Sequence, residues 1–310
     1  MKDSKQLTGN NIDGVLNIFK EPGYTSHDVV AILRKILKTK KIGHAGTLDP
    51  NVSGVLPICI GKATKISQYL MDFGKTYVAE ITFGIETDTE DIWGNITKTD
   101  NMPVNFETFE KVLSKYNNIE IKQIPPMYSA IKVNGKRLYE LAYKGITIDR
   151  KERNAKIYKT KILRKYKNKV ILEVSCSKGT YIRTLIKDIC IESGTIGTMS
   201  NLLRIESGGL NISNSLTLDQ IKYFVYNGNY DYIISIENAL HTYEKFNLSD
   251  KYFKKIINGV KIDVGDFYTD KLLLIYCSNE FIGLGSINRI SGSNYLKMKN
   301  MFYRGTNENN

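Results

Sequence analysis

Histidine and cysteine are scarce in this chain, and the scarcity removes whole classes of chemistry. The three histidines, His27, His44 and His241, lie far apart, with no spacing that brings two of them to one metal ion. The four cysteines, Cys59, Cys176, Cys190 and Cys277, stand singly with no C-x-x-C pair, so they read as reduced thiols rather than a zinc site. There is no G-x-x-x-x-G-K-[ST] phosphate loop and no G-x-G-x-x-G after a strand. No serine elbow has a histidine written within reach of it. No apolar run approaches the roughly 18–20 residues that a membrane helix needs. The opening stretch "MKDSKQLTGNN" is polar and lacks the apolar core of a signal peptide. These absences predict a cytoplasmic protein with no membrane attachment, no metal and no cofactor.

What is present has the profile of a soluble globular protein: 42% hydrophobic and 25% charged over 310 residues, a length that suggests about two domains. The net charge of +12 suits a polyanionic partner, nucleic acid or an anionic membrane. Only nine of the 44 basic residues are arginine, however, so a genome-wide compositional skew explains the charge equally well.

Periodicity divides the chain coarsely. Residues 26–38 carry Val29, Ile32, Leu33, Ile36 and Leu37 on one helical face, with Ser26 as the expected cap. A helix is expected over 63–73 and a half-buried strand over 76–85, where Tyr77, Ala79, Ile81 and Phe83 alternate with Val78, Glu80 and Thr82. An acidic loop, "ETDTEDIWG", follows. Residues 105–116 suit a helix with Phe106, Phe109, Val112 and Leu113 inward. Beyond the two prolines of "IPPMYSAIKVNGKRLYELAYKG", Asn134-Gly135 marks a hairpin-like turn, and a helix follows, ended by Gly145. Segments 156–166 and 169–176 read as paired strands around "YKNK". The basic run "KIYKTKILRKYKNK" reads as a solvated strand face, with RNA contact its rival. The next helix carries Ile182, Leu185, Ile186 and Ile189, and Thr217 with Gln220 forms a capping box. A helix capped by Ser249 and closed by Gly259, then three strand-like pieces, make a second unit from about Phe246. The tail "RGTNENN" is expected to be disordered. The expected domains are 1–245 and 246–310.

The densest chemistry lies in "IGHAGTLDP", residues 42–50. Its glycines permit close backbone approach, and the proline turns Asp49 away from helical geometry. Taken alone, this stretch reads first as an ordinary turn, with a reactive carboxylate as its rival. Elsewhere, Tyr77 opens a strand and Arg183 begins a helix.

Five segments carry a family resemblance: "GVLNIFKEPGYTSHDVV", "KIGHAGTLDPNVSGVLPICIGKATK", "KTYVAEITFGIETDTEDIWG", "IPPMYSAIKVNGKRLYELAYKG" and "CSKGTYIRTLIKDI". Together and in order they resemble the bacterial tRNA pseudouridine-55 synthases of the TruB type, over most of residues 14–209. The resemblance implies an α+β pseudouridine-synthase fold, with a mixed or antiparallel central sheet flanked by helices and a small C-terminal PUA-like β-barrel. It implies isomerisation of a uridine in the T loop of tRNA: the C1′–N1 bond breaks, the uracil rotates, and C5 joins C1′. This rearrangement is redox-neutral and adds no atoms.

By the same resemblance Asp49 is the catalytic aspartate, Arg183 its cationic partner and Tyr77 the active-site tyrosine. A carboxylate stripped of water stays charged only beside a cation, which is the part Arg183 would play. His44 would fill space near the vacated base, Tyr181 and Leu202 would line the base pocket, and Lys20 would support the loop. For Tyr181 and Leu202 a plain core role competes. Asp88 and Asp91 would add counter-charge near Arg183, or form a solvated acidic loop. "NLLRIESGG" keeps Leu202, Arg204 and the Ser-Gly-Gly of the family, which usually has basic residues where Leu203 and Glu206 stand, and this puts local phosphate contacts in doubt. The implied partner is the T arm of tRNA, bound by a monomer with no protein partner. Two rivals remain: a tRNA-folding protein without chemistry, and the guide-RNA-dependent relative, against which stands the lack of a lysine-rich tail.

Overall fold

The computed structural model describes residues 12–133, 135–303 and 305. Asn134 of the expected turn, the opening stretch "MKDSKQLTGNN" and all of the tail but Gly305 lie outside them. The chain begins with β1 (Gly14–Lys20), nearly all of it buried, and α1 (Ser26–Ile36). The cap of α1 is Thr25 rather than Ser26. Thr25 Oγ1 accepts the Asp28 N–H at 3.0 Å, and the Asp28 carboxylate accepts the Thr25 N–H at 2.9 Å. This reciprocal box fills the role expected of Ser26, which is thereby the first helical residue. Val29, Val30 and Leu33 are buried, while Ile32 and Ile36 are half-buried.

Next come β2 (Ile42–His44) and β3 (Ser53–Ile60), which bracket the segment containing Asp49. The expected helix over 63–73 starts as a three-ten turn, Gly61–Ile66, and becomes α2 at Ser67–Asp72. In β4 (Lys75–Phe83) the expected alternation holds, with Tyr77, Ala79 and Ile81 inward. The acidic stretch is folded into a hairpin of β5 (Ile85–Thr87) and β6 (Ile96–Thr99). Asn105 caps α3 (Phe106–Ser114), which buries Phe109, Val112 and Leu113. After β7 (Ile119–Gln123), a small hairpin of β8 (Lys132–Val133) and β9 (Lys136–Arg137) leads into α4 (Leu138–Ala142). The paired strands β10 (Arg153–Tyr166) and β11 (Lys169–Cys176) precede α5 (Ile182–Glu192), β12 (Gly197–Ser207) and β13 (Leu210–Asn211). Thr217 and Gln220 form the expected box at α6 (Leu218–Tyr226), and α7 (Ile236–Ala239) follows.

The main sheet has nine strands along the path β1-β3-β12-β4-β11-β10-β7, with β2 and β13 attached to β3 and β12. Its pairings are antiparallel except β3 with β12, so the sheet is mixed. One apolar cluster joins α3 and α5 to β4, β11 and β12. Another packs α1 and α6 on β1 and β3.

The remaining elements are β14 (Glu244–Leu248), α8 (Phe253–Ile257), β15 (Ile262–Asp263), β16 (Leu272–Cys277), β17 (Glu280–Ile290) and β18 (Ser293–Met301). They form a five-stranded sheet, β14-β16-β17-β18-β15, curled around an apolar cluster to which all five strands and α8 contribute. Ser249 stands at the expected cap position but makes no side-chain cap bond. A third cluster joins this sheet to α2, α7 and the outer face of β1 and β3. Tyr69 Oη donates to Asn300 Oδ1 at 2.9 Å across that junction, and the Tyr276 hydroxyl donates to Glu237. Among the described residues no helix is long and apolar enough to cross a membrane.

Candidate active site

Asp49 lies between β2 and β3, on a segment tied from both sides. Ser26 Oγ accepts the Leu48 N–H at 2.9 Å and donates to the Leu48 carbonyl at 3.2 Å. Lys20, at the end of β1, is completely enclosed, and its Nζ donates to the carbonyls of Tyr24 at 2.7 Å, Pro50 at 2.9 Å and Glu21 at 3.0 Å. Lys20 thus braces the loop from behind. Burial pushes its ammonium down from 10.5 to about 8, with the charge of Asp49 pulling the other way.

Arg183, in the first turn of α5, reaches the Asp49 carboxylate: Nη2 stands 3.1 Å from Oδ2. The guanidinium side chain is 6% exposed and the carboxylate side chain 47%. Three further contacts fix the guanidinium: Nη1 donates to the Thr89 carbonyl at 2.9 Å, Nη2 to the Tyr128 carbonyl at 2.8 Å, and Nη1 faces Asp91 Oδ2 at 3.5 Å. Of the two expected extra counter-charges, therefore, only Asp91 meets Arg183. Asp88 instead accepts the Asn95 N–H at 2.8 Å and the Asn95 amide at 3.0 Å, closing its own hairpin. Burial is the main cause that raises the Asp91 carboxyl above its ordinary value; Thr89 and Arg183 oppose it.

Tyr77 is buried on β4, opposite Arg204 of β12 and Val174 of β11. Burial raises its phenol, opposed first by the Arg204 guanidinium, and the charge of Asp49 also reaches it. Tyr181 stands at the N-cap of α5, where Gln123 grips its backbone twice: Oε1 accepts the Tyr181 N–H at 3.0 Å and Nε2 donates to its carbonyl at 3.2 Å. The Tyr181 phenol is raised by burial and lies within the fields of Arg183 and Asp49. Leu202 is buried in the cluster that also holds Leu48, Val52, Tyr77 and Ile182. His44, on β2, is held below its ordinary value by burial first and by Arg204 next, and its buried Nδ1 has no hydrogen-bond partner among the described residues. Asp49, Arg183, Tyr77 and Tyr181 thus gather in one place, with His44, Leu202 and Lys20 around the loop that carries the carboxylate.

Several contributors were invisible as single letters. The Thr89 and Tyr128 carbonyls are backbone atoms, which no residue pattern reports. Ser26 fits a cap by propensity, and its contact with Leu48 has no local sign. Arg204 carried a signal: it shares strand parity with Leu202, so a strand reading turns both to the same side. Glu206 is exposed and accepts from the Thr76 hydroxyl at 3.3 Å, and Leu203 pairs in register with Ser53 and Val78.

A half-exposed carboxylate held by a buried, fully tethered guanidinium can act as a nucleophile or a base without moving its partner. Residues 34–182 match the N-terminal domain of the TruB family pseudouridylate synthases. The tRNA pseudouridine synthase B of Alkaliphilus oremlandii is 43% identical over 300 residues, covering 94% of this chain and 99% of the relative. That of Clostridium kluyveri is 46% identical over 280 residues, covering 88% and 95%. Among solved structures, an H/ACA RNP bound to a substrate RNA containing 2′-deoxyuridine aligns with a TM-score of 0.71 at 26% identity, covering 94% of this chain and 85% of that one. A Cbf5-Nop10-Gar1 complex gives 0.70 at 28% identity, covering 92% and 80%. Matched along nearly its whole length, this chain belongs to the TruB family of pseudouridylate synthases, enzymes that isomerise uridine to pseudouridine.

Proposed function

We propose that this enzyme acts on tRNA, converting the uridine at position 55 of the T loop, with Asp49 as its nucleophile. The observation that carries the reading is the Asp49–Arg183 pair, 3.1 Å apart, with the carboxylate facing outward and the guanidinium locked inside. The relatives named tRNA pseudouridine synthase B support tRNA as the substrate.

A uridine in a folded loop is stacked, so it must be extruded to meet Asp49, at a cost of about a few kcal/mol. The arriving base also displaces water from the half-exposed carboxylate and strengthens its electrostatic reach. The C1′–N1 bond then breaks, the uracil turns, and C5 bonds to C1′. C5 gives up its proton and N1, released from C1′, takes one up, so the product is an isomer. Addition of the carboxylate to C1′, addition to C6, and abstraction of a ribose proton all require it ionised at this spot. Tyr77 stacks on the base and its hydroxyl assists loss of the C5 proton; Tyr181 and Leu202 line the pocket. His44 occupies the space next to the extruded nucleotide. Residues 1–245 perform the chemistry and 246–310 bind RNA, in a monomer working in the cytoplasm.

Asp49→Asn should abolish tritium release from C5-labelled uridine in tRNA while leaving tRNA affinity within about threefold, because only the reacting charge is removed. Full turnover by that variant would overturn the reading. Bare tRNA transcript, with no guide RNA and no protein partner, is the substrate to use, and activity on it separates this reading from a guide-dependent enzyme.

A further inference from the structure

Arg204 takes no part in the reaction described above, yet it is the largest side chain that is fully buried among the described residues. Its partners are carbonyl oxygens. Nε donates to Val55 at 2.8 Å, Nη1 to Thr47 at 3.2 Å and Nη2 to Gly46 at 3.1 Å. Burying a cation on neutral acceptors costs free energy that an apolar residue would not. The acceptors explain the placement: Gly46 and Thr47 precede Asp49, and Val55 follows it. One rigid, planar group therefore spans both limbs of the loop that presents the carboxylate, a task that suits a guanidinium fork and not an ammonium.

The sheet delivers the side chain there. Parallel pairing sets Arg204 opposite Gly54, whose φ of +115° admits the close approach; a Cβ at Gly54 would stand 2.2 Å from the Arg204 carbonyl oxygen. On its other edge, β12 sets Arg204 opposite Tyr77, and the phenol lies in the field of the guanidinium. The same side chain thus meets the Asp49 loop and the tyrosine strand.

We infer that Arg204 is a positioning residue for the isomerisation: it fixes the Asp49 loop and Tyr77 relative to one another without touching substrate. The inference rests on the roles proposed for Asp49 and Tyr77.

The test is Arg204→Lys, which keeps the charge and loses the fork. Single-turnover isomerisation of tRNA should slow by about 30-fold or more, with tRNA affinity changed by less than about threefold, because the loss falls on geometry at the reacting atoms. Hydrogen exchange at the Ala45 and Leu48 amides should accelerate by about tenfold, since the loop loses its tether. Arg204→Gln, which keeps some donors without charge, is measured alongside. A rate within threefold of the parent for Arg204→Lys, with unchanged exchange in the loop, would overturn the inference. So would unfolding of both variants, which would make Arg204 structural only. A parent protein inert on tRNA refutes the proposed function instead, while loop exchange still reads the tether by itself.

Discussion

The Asp49 carboxylate and the Arg183 guanidinium stand 3.1 Å apart in unequal surroundings, the carboxylate half exposed and the guanidinium enclosed. The asymmetry matters chemically. A cation held by the Thr89 and Tyr128 carbonyls and by Asp91 does not have to reorganise when charge shifts on Asp49. The carboxylate, open on its other side, is free to meet a base.

Arg183→Met should therefore damage both stability and rate. It strands Asp91, whose side chain is only 13% exposed, and removes the donors of two carbonyls. Breaking a buried pair in this way costs about 3–5 kcal/mol. Urea unfolding should register most of that loss, and Arg183→Met with Asp91→Asn should recover part of it. Isomerisation should stay down by about a thousandfold or more in both variants, because neither restores the partner of Asp49. Recovery of activity in the double variant would contradict the pairing.

Tyr77→Phe separates ring from hydroxyl. The ring keeps its place on β4, so tRNA affinity should change by less than about threefold, while turnover falls by about 10²–10⁴, the range for a lost acid–base group. Filter binding beside tritium release measures both quantities on one preparation.

Lys20 predicts a pH dependence in which activity and stability move in opposite directions. Its folded value of about 8 lies below the ordinary 10.5, so between those pH values the unfolded chain holds the extra proton. The contribution of this group to stability is unfavourable below pH 8 and becomes less so as pH rises toward 10.5. Activity should instead fall above pH 8, because a neutral amine has two protons for three carbonyls and the Pro50 tether weakens. Lys75 is likewise lowered to about 8 by burial, so Lys20→Met and Lys75→Met are compared. Only Lys20→Met should erase the alkaline limb of the rate profile, and an unchanged limb in that variant would assign it elsewhere.

The sequence made the strands and the reacting letters readable, because alternation in "TYVAEITF" and the neighbours of Asp49 are local facts. Beyond the support from Lys20 and the pairing with Arg183 that the resemblance implies, it did not disclose how Asp49 is held. The tethers are the Lys20 and Arg204 bonds to carbonyls, and carbonyls look alike at every position. Ser26 shows the same limit: either Thr25 or Ser26 is a sound cap by propensity, and the contacts of Thr25 with Asp28 and of Ser26 with Leu48 decide between them. The acidic loop divided for a similar reason. Asp88 closes a turn and Asp91 meets Arg183, a distinction set by hairpin geometry rather than residue type.

Ser26→Ala isolates one of these tethers. The hydroxyl both accepts from and donates to Leu48 in a buried position, so its removal leaves two backbone groups unpaired, at about 1–3 kcal/mol. Because Leu48 adjoins Asp49, turnover should fall more than affinity. Thr25→Ala is the control: it costs about 1 kcal/mol through the lost cap and should leave turnover near that of the parent.

Glu206 supplies the last prediction, about substrate grip rather than chemistry. It is exposed, near the end of β12 and two residues beyond Arg204, and its only side-chain partner among the described residues is the Thr76 hydroxyl at 3.3 Å. A carboxylate there repels a phosphate backbone that passes over this face, and Glu206→Lys would attract it. The substitution should leave thermal stability within about 0.5 kcal/mol, as expected of a surface change away from packed features. If it gains one phosphate contact, the plot of log affinity against log salt should steepen by about 0.7–0.9, with tighter binding at low salt. Single-turnover rates at saturating tRNA should not change, since the loop and Arg183 are untouched. An identical salt slope in parent and variant would mean that the RNA backbone does not cross this end of β12.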